Sequence, residues 1–112
     1  MMNKNLFKDI PEELSQEFFE VLQDREALKI ERIVSKGHYT PENEWYDQQW
    51  DEWVVLLTGA ATLRVEGHAA LYDLFPGDHI LLPAHIRHRV EWTDPAQESV
   101  WLAVHFRPDA TG

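Results

Sequence analysis

Two side chains in this sequence stand where their chemistry needs a reason, Glu52 and His88. Glu52 heads an apolar run, Trp53-Val54-Val55-Leu56-Leu57, that stops at Thr58-Gly59. The run is too short for a stable helix and rich in β-branched and aromatic residues, so it predicts a strand. A carboxylate carried inward by such a strand costs on the order of several kcal/mol if buried unpaired. Either it stays in solvent at the strand end or it meets a partner. The segment Pro83-Ala84-His85-Ile86-Arg87-His88-Arg89-Val90 offers one. In a strand, Ile86, His88, Val90 and Trp92 share one face, and Arg87, Arg89 and Glu91 share the other. Two arginines and a glutamate suit solvent, which predicts that His88 points inward. An inward acid and imidazole can share a proton as a hydrogen-bonded pair, or they can form half of a metal site.

The elements that must position this pair are short. Leu28–Ser35, Trp53–Leu57, Ala61–Glu66, Ala70–Leu74, His79–Leu82, Arg87–Thr93 and Ser99–Phe106 are predicted strands. Gly59-Ala60 predicts a tight turn that pairs Trp53–Leu57 with Ala61–Glu66 as a hairpin. Phe75-Pro76-Gly77-Asp78 is a strong turn, in which Asp78 fixes the backbone. Ahead of the strands, Pro11 to Leu22 predicts a short amphipathic helix. Leu14, Phe18, Val21 and Leu22 lie on one face, with proline and two acids in the first turn. Met1 to Ile10 is predicted to be loosely held. Many short strands at close turn spacing argue for an all-β sandwich or barrel.

Composition narrows the partners. The chain has 112 residues, enough for a single core, with 44% apolar residues and five tryptophans. The expected organisation is one domain over 1–112, with an N-terminal helical extension over 1–26 and a barrel over about 27–107. Net charge is −10, spread along the chain, which argues against nucleic acid and anionic membranes as partners. Absence of cysteine excludes disulfides, thiolate ligands and a cysteine nucleophile. With neither a signal-peptide pattern nor a long apolar run, a cytoplasmic location is expected.

The motif spacing resembles that of the cupins. Glu52, six residues and Gly59 resemble the end of the first cupin motif, in which two histidines one residue apart precede a glutamate. Gly77-Asp78, Pro83 and His88 resemble the second motif, which contributes the last metal-binding histidine. Only 17 residues separate Gly59 from Gly77, as in small single-domain microbial cupins. The resemblance implies a double-stranded β-helix, a jelly-roll-like barrel, with Glu52 and His88 at ligand positions. Where the family has its histidine pair, this chain has Tyr46 and Gln48 on the shorter spacing, or Trp45 and Asp47 on the longer. A phenol with an ordinary pKa of about 10 is a poor ligand, so Tyr46 suits a hydrogen bond to substrate or water. Gln48 can coordinate through oxygen, as a glutamine does in some cupin isomerases. His85 replaces a glycine usual in the motif. It is expected to be a third nitrogen ligand or proton shuttle, or else a rim histidine bonded to backbone. His105 on the last strand reads as structural, with an inward orientation left open.

The expected site is therefore a pocket in which Glu52, His88, Gln48 and His85 hold a divalent first-row metal (Fe, Mn, Ni or Zn) and Tyr46 and Trp92 form an aromatic wall. Two functions follow from it. One is a metal-dependent enzyme, of oxygenase or isomerase type, acting on a small metabolite. The other is a non-catalytic barrel that binds a small molecule without metal and uses Glu52 and His88 as a hydrogen-bonded pair. Outward-facing Trp53 and Val55, with the apolar helix face, predict a homodimer.

Overall fold

The computed structural model describes residues 1–109; Ala110 to Gly112, the end of the expected 1–112 domain, lie outside them. Among the described residues, eight strands form two antiparallel sheets. The strands are β1 (Phe18–Arg25), β2 (Leu28–Ser35), β3 (Asp51–Leu56), β4 (Ala61–Val65), β5 (Tyr72–Leu74), β6 (His79–Leu82), β7 (His88–Thr93) and β8 (Ser99–Phe106). The larger sheet runs β1-β2-β8-β3-β6 and the smaller β5-β4-β7. Ile33, Val54, Leu56, Leu63, Leu82 and Trp101 meet between them as the core. Burial along β3 alternates strictly, with Glu52, Val54 and Leu56 inside, as the sequence predicts.

The expected N-terminal helix is absent: among the described residues no helix forms, and residues 18–25 are strand β1. Phe18 and Leu22 satisfy both readings, because residues four apart share a helix face and a strand face alike. Pairing with β2 decides between them. The register runs from Phe18 opposite Val34 to Arg25 opposite Leu28, with a bulge near Leu22 and only Glu26 and Ala27 in the turn. Nor is the N-terminal segment loose where it crosses β2. The Arg32 guanidinium donates to the Leu6, Lys8 and Asp9 carbonyls and pairs with Glu20 at 3.1 Å. That cover explains why both faces of β2 are buried from Glu31 to Ser35.

The expected β3–β4 hairpin is also replaced. β3 pairs with β6 and β8, whereas β4 pairs with β5 and β7, so the chain crosses between sheets at Gly59-Ala60. Gly59 has φ 84° and lies flat against β8; a Cβ there would come within 2.6 Å of the Ser99 Cα. A side chain would collide with backbone, which is why the crossing needs glycine. The Ser99 hydroxyl then receives the Ala60 N–H and donates to the Ala60 carbonyl, both at 3.2 Å.

Candidate functional site

The barrel interior is a chamber of about 60 Å³ whose polar wall comes from both sheets. β3 delivers Glu52, β7 delivers His88, β2 delivers Glu31 and β8 delivers His105; Glu17 enters just before β1. Register explains the grouping. Glu52 lies directly opposite His105 across β3 and β8, and Glu31 lies opposite Ala103, one diagonal step from His105. His105 Nε2 lies 2.8 Å from Glu31 Oε1, a closed hydrogen bond between two buried side chains. Glu52 and His88 also face each other, but His88 Nε2 and Glu52 Oε1 are 3.6 Å apart, beyond hydrogen-bond range. Both side chains are only 8% exposed.

The electrostatics follow from burial. Glu52 is pushed above the ordinary carboxylate value, chiefly by desolvation; His105, His88 and a hydrogen bond from Gln48 pull the other way, and Glu31 reinforces the rise. Glu17 is raised as well, again mainly by desolvation, against a short hydrogen bond from Ser35. Glu31 is lowered, first by its bond to His105. His88 Nδ1 lies 3.2 Å from the Ile86 carbonyl and donates to it, which leaves Nε2 as the free acceptor facing Glu52.

Tyr46 and Gln48 join this wall from the loop before β3. Tyr46 pairs with His88 through two backbone hydrogen bonds, of 2.8 and 3.1 Å, and stacks its ring on the imidazole at 5.6 Å and 26°. Burial, and next the charge of Glu17, push its hydroxyl pKa up, so the phenol stays protonated. Gln48 lines the chamber beside Glu52.

Two expected site residues lie elsewhere. His85 has φ 66°, the left-handed backbone suited to the glycine it replaces, and its ring turns outward to Asp47 at 3.1 Å. Trp92 is 45% exposed and does not line the chamber. A bulge is the reason: Leu63 faces Val90 but Thr62 faces Trp92, so Glu91 is an extra residue and the alternation that points His88 inward is reversed beyond Val90. Arg89 is buried rather than solvated, its guanidinium over Trp45 at 4.5 Å and bonded to the Glu42 carbonyl. Conversely, the chamber holds Glu17, Glu31 and His105, which the motif spacing does not mark. In the sequence, the run Leu28-Lys29-Ile30-Glu31-Arg32-Ile33-Val34-Ser35 breaks strict alternation, which is a signal for Glu31.

The chamber opens into an outer bowl of about 730 Å³ that shares Glu17, Phe19, Tyr46 and Val90 with it. These four residues form the throat.

A cupin-domain family model matches residues 31–105. The chain belongs to the cupin family. A crystal structure described as "putative mannose-6-phosphate isomerase" from Ralstonia eutropha matches this cupin at 45% identity and a TM-score of 0.92, over 96% of this chain and all of that one (100%). A conserved protein of unknown function from Streptococcus pyogenes matches at 23% identity and TM-score 0.74, covering 97% and 90%. An RmlC-like cupin from Desulfovibrio desulfuricans matches at 18% and 0.75, covering 97% and 99%; these two likenesses speak to the fold alone. No curated protein matches the chain. No helix among the described residues is long and apolar enough to cross a membrane.

Cupins commonly bind transition metals. Among the described residues of this cupin, no three His, Asp or Glu side chains converge closely enough to hold a metal ion. Of the expected ligands, Glu52, His88 and Gln48 share the chamber and His85 faces away from it. Tyr46 and Gln48 stand where the family has its histidine pair, and the imidazole of His105 is engaged by Glu31. The residues present do not fit a resident metal.

Proposed function

We propose that this cupin binds a small organic metabolite in the chamber and moves a proton on it through Glu52 and His88. The observation that carries the reading is the open pair: a buried carboxyl whose pKa desolvation raises, facing a buried imidazole whose Nε2 is a free acceptor 3.6 Å away. An acid and a base of this kind suit an isomerase. In a 1,2-shift on an α-hydroxy carbonyl compound, His88 Nε2 takes the proton from the carbon bearing the hydroxyl. Glu52 gives its own proton to the carbonyl oxygen, producing an enediol. His88 then gives its proton to the former carbonyl carbon while Glu52 takes the hydroxyl proton of the other carbon, which becomes the new carbonyl, so the shift ends with no net change in the enzyme. The Tyr46 hydroxyl, kept protonated, donates a hydrogen bond to substrate oxygen. Isomerase chemistry also agrees with the description of the Ralstonia eutropha protein at 45% identity.

The test is solvent exchange. α-Hydroxy aldehydes incubated with the protein in deuterium oxide are expected to gain carbon-bound deuterium, and Glu52→Gln and His88→Asn to lose the effect. Exchange at the wild-type rate in both variants would reject the assignment. We propose a homodimer on the exposed apolar side chains Val21, Leu81 and Ile86, and a monomer by light scattering would remove that part.

A further inference from the structure

The charge of the two connected cavities selects among ligands. Neither the chamber nor the bowl is lined by a lysine or an arginine, whereas Glu17, Glu31, Glu52 and Glu44 all line one or both. The histidines do little to offset this. His38 receives the Lys36 N–H at Nδ1, and its Nε2 donates to the Leu14 carbonyl, both at 2.9 Å, which fixes a neutral tautomer. His105 is matched by Glu31. The guanidiniums of Arg87 and Arg89 lie against Trp45, which lines the bowl, and are engaged by Glu66, Glu91 and the Glu42 carbonyl. A phosphomonoester would enter this space with two negative charges and find no cationic side chain.

The bowl also has an aromatic lining. Phe19, Tyr39 and Tyr46 line it and are 48%, 70% and 38% exposed. Exposed ring faces beside carboxylates are the arrangement that attracts an alkylated or protonated amine, through the ring quadrupole and the acid together. Burying such a cation at the throat gives Glu17 a counter-charge.

Resting on the proposed use of this chamber as the ligand site, we infer that the metabolite it takes is a small organic cation, an amine or quaternary ammonium compound held by Glu17, Glu44, Phe19, Tyr39 and Tyr46, and not a phosphate ester. The carbon skeleton carrying the cation reaches past the throat towards Glu52 and His88, while the charged nitrogen stays in the bowl.

The experiment uses three probes of similar size with the full chain: choline, its uncharged isostere 3,3-dimethylbutan-1-ol, and glycerol 3-phosphate. Calorimetric titration at low salt is expected to give saturable binding of choline, about tenfold or more tighter than the isostere, and no heat of binding for the phosphate. Glu44→Gln, at an exposed position that does not bear on folding, is expected to weaken choline about threefold with little effect on the isostere. Glu17→Gln should do the same more strongly. Tighter binding of glycerol 3-phosphate than choline, or equal binding of choline and its isostere, would overturn the ligand class while leaving the chamber as the site. Choline binding that Tyr46→Ala, Glu17→Gln and Glu44→Gln all leave unchanged would instead overturn the placement of the ligand in this chamber. No binding of choline at tens of millimolar would overturn the inference as well.

Discussion

The chamber holds two acid–imidazole pairs made from the same residue types, and they differ by less than an ångström. Glu31 and His105 are closed at 2.8 Å, and the hydrogen bond lowers the acid. Glu52 and His88 are open at 3.6 Å, and desolvation raises the acid. Position in the sheet accounts for the difference. The closed pair bridges adjacent strands β2 and β8, where the diagonal step brings long side chains together. The open pair reaches between the two sheets, from β3 to β7, across the space that makes the chamber. One pair therefore spends its chemistry on the fold, and the other keeps it available.

The most damaging way to break that contrast is His105→Ala. It leaves Glu31 buried without its partner and should cost about 3 kcal/mol in urea unfolding at neutral pH. His88→Ala should cost less, about 1–2 kcal/mol, because at 3.6 Å it has no hydrogen bond to Glu52 to lose. Equal losses for the two variants would mean that the distances do not separate the roles.

The two acids also predict opposite pH limbs. The folded value of Glu52 lies above the ordinary 4.5, so the unfolded chain gives up that proton first. Wild-type protein should thus lose stability relative to Glu52→Gln as pH rises from about 4.5 through the raised value. Glu31 is lowered below the same ordinary 4.5, so its contribution is present above that value and is lost as pH falls through the depressed one. Chemical denaturation of wild type, Glu52→Gln and Glu31→Gln between pH 3 and 8 checks both limbs; difference curves of the same sign would undo the comparison. The smallest effect is from metal removal. With no third donor converging on the open pair, chelator should leave the melting temperature unchanged. Stoichiometric Fe, Mn, Ni or Zn in protein purified without chelator would return Glu52, His88 and Gln48 to the ligand role that the cupin motifs imply.

Much of this site is legible in the sequence because strand alternation is a local property. Glu52 points inward for the reason its neighbours give; His88 does so beside an Arg89 that is itself buried, and Tyr46 and Gln48 come from the spacing that the cupin resemblance implies. His105 and Glu31 escape the same logic, since what joins them is the register of two strands some 74 residues apart in the chain. Trp92 fails because one bulge at Glu91 resets the alternation, and no residue type there announces it. The first strand is hidden for another reason. Phe18 and Leu22 fit a helix as well as a strand, and only the β2 edge waiting to be paired resolves the choice.

The clasp at Arg32 has a consequence for motion. β1 is an outer strand, bonded to β2 alone, yet Phe19 on it forms part of the throat. Amides on such a strand exchange with solvent through local fraying rather than through unfolding of the whole barrel. The guanidinium that fastens Leu6, Lys8 and Asp9 over β2 also holds Glu20 of β1, so its loss is expected to deepen that fraying. Substitution of Arg32, which pairs with Glu20 on β1 and lines neither cavity, is thus expected to change how readily solvent reaches the chamber.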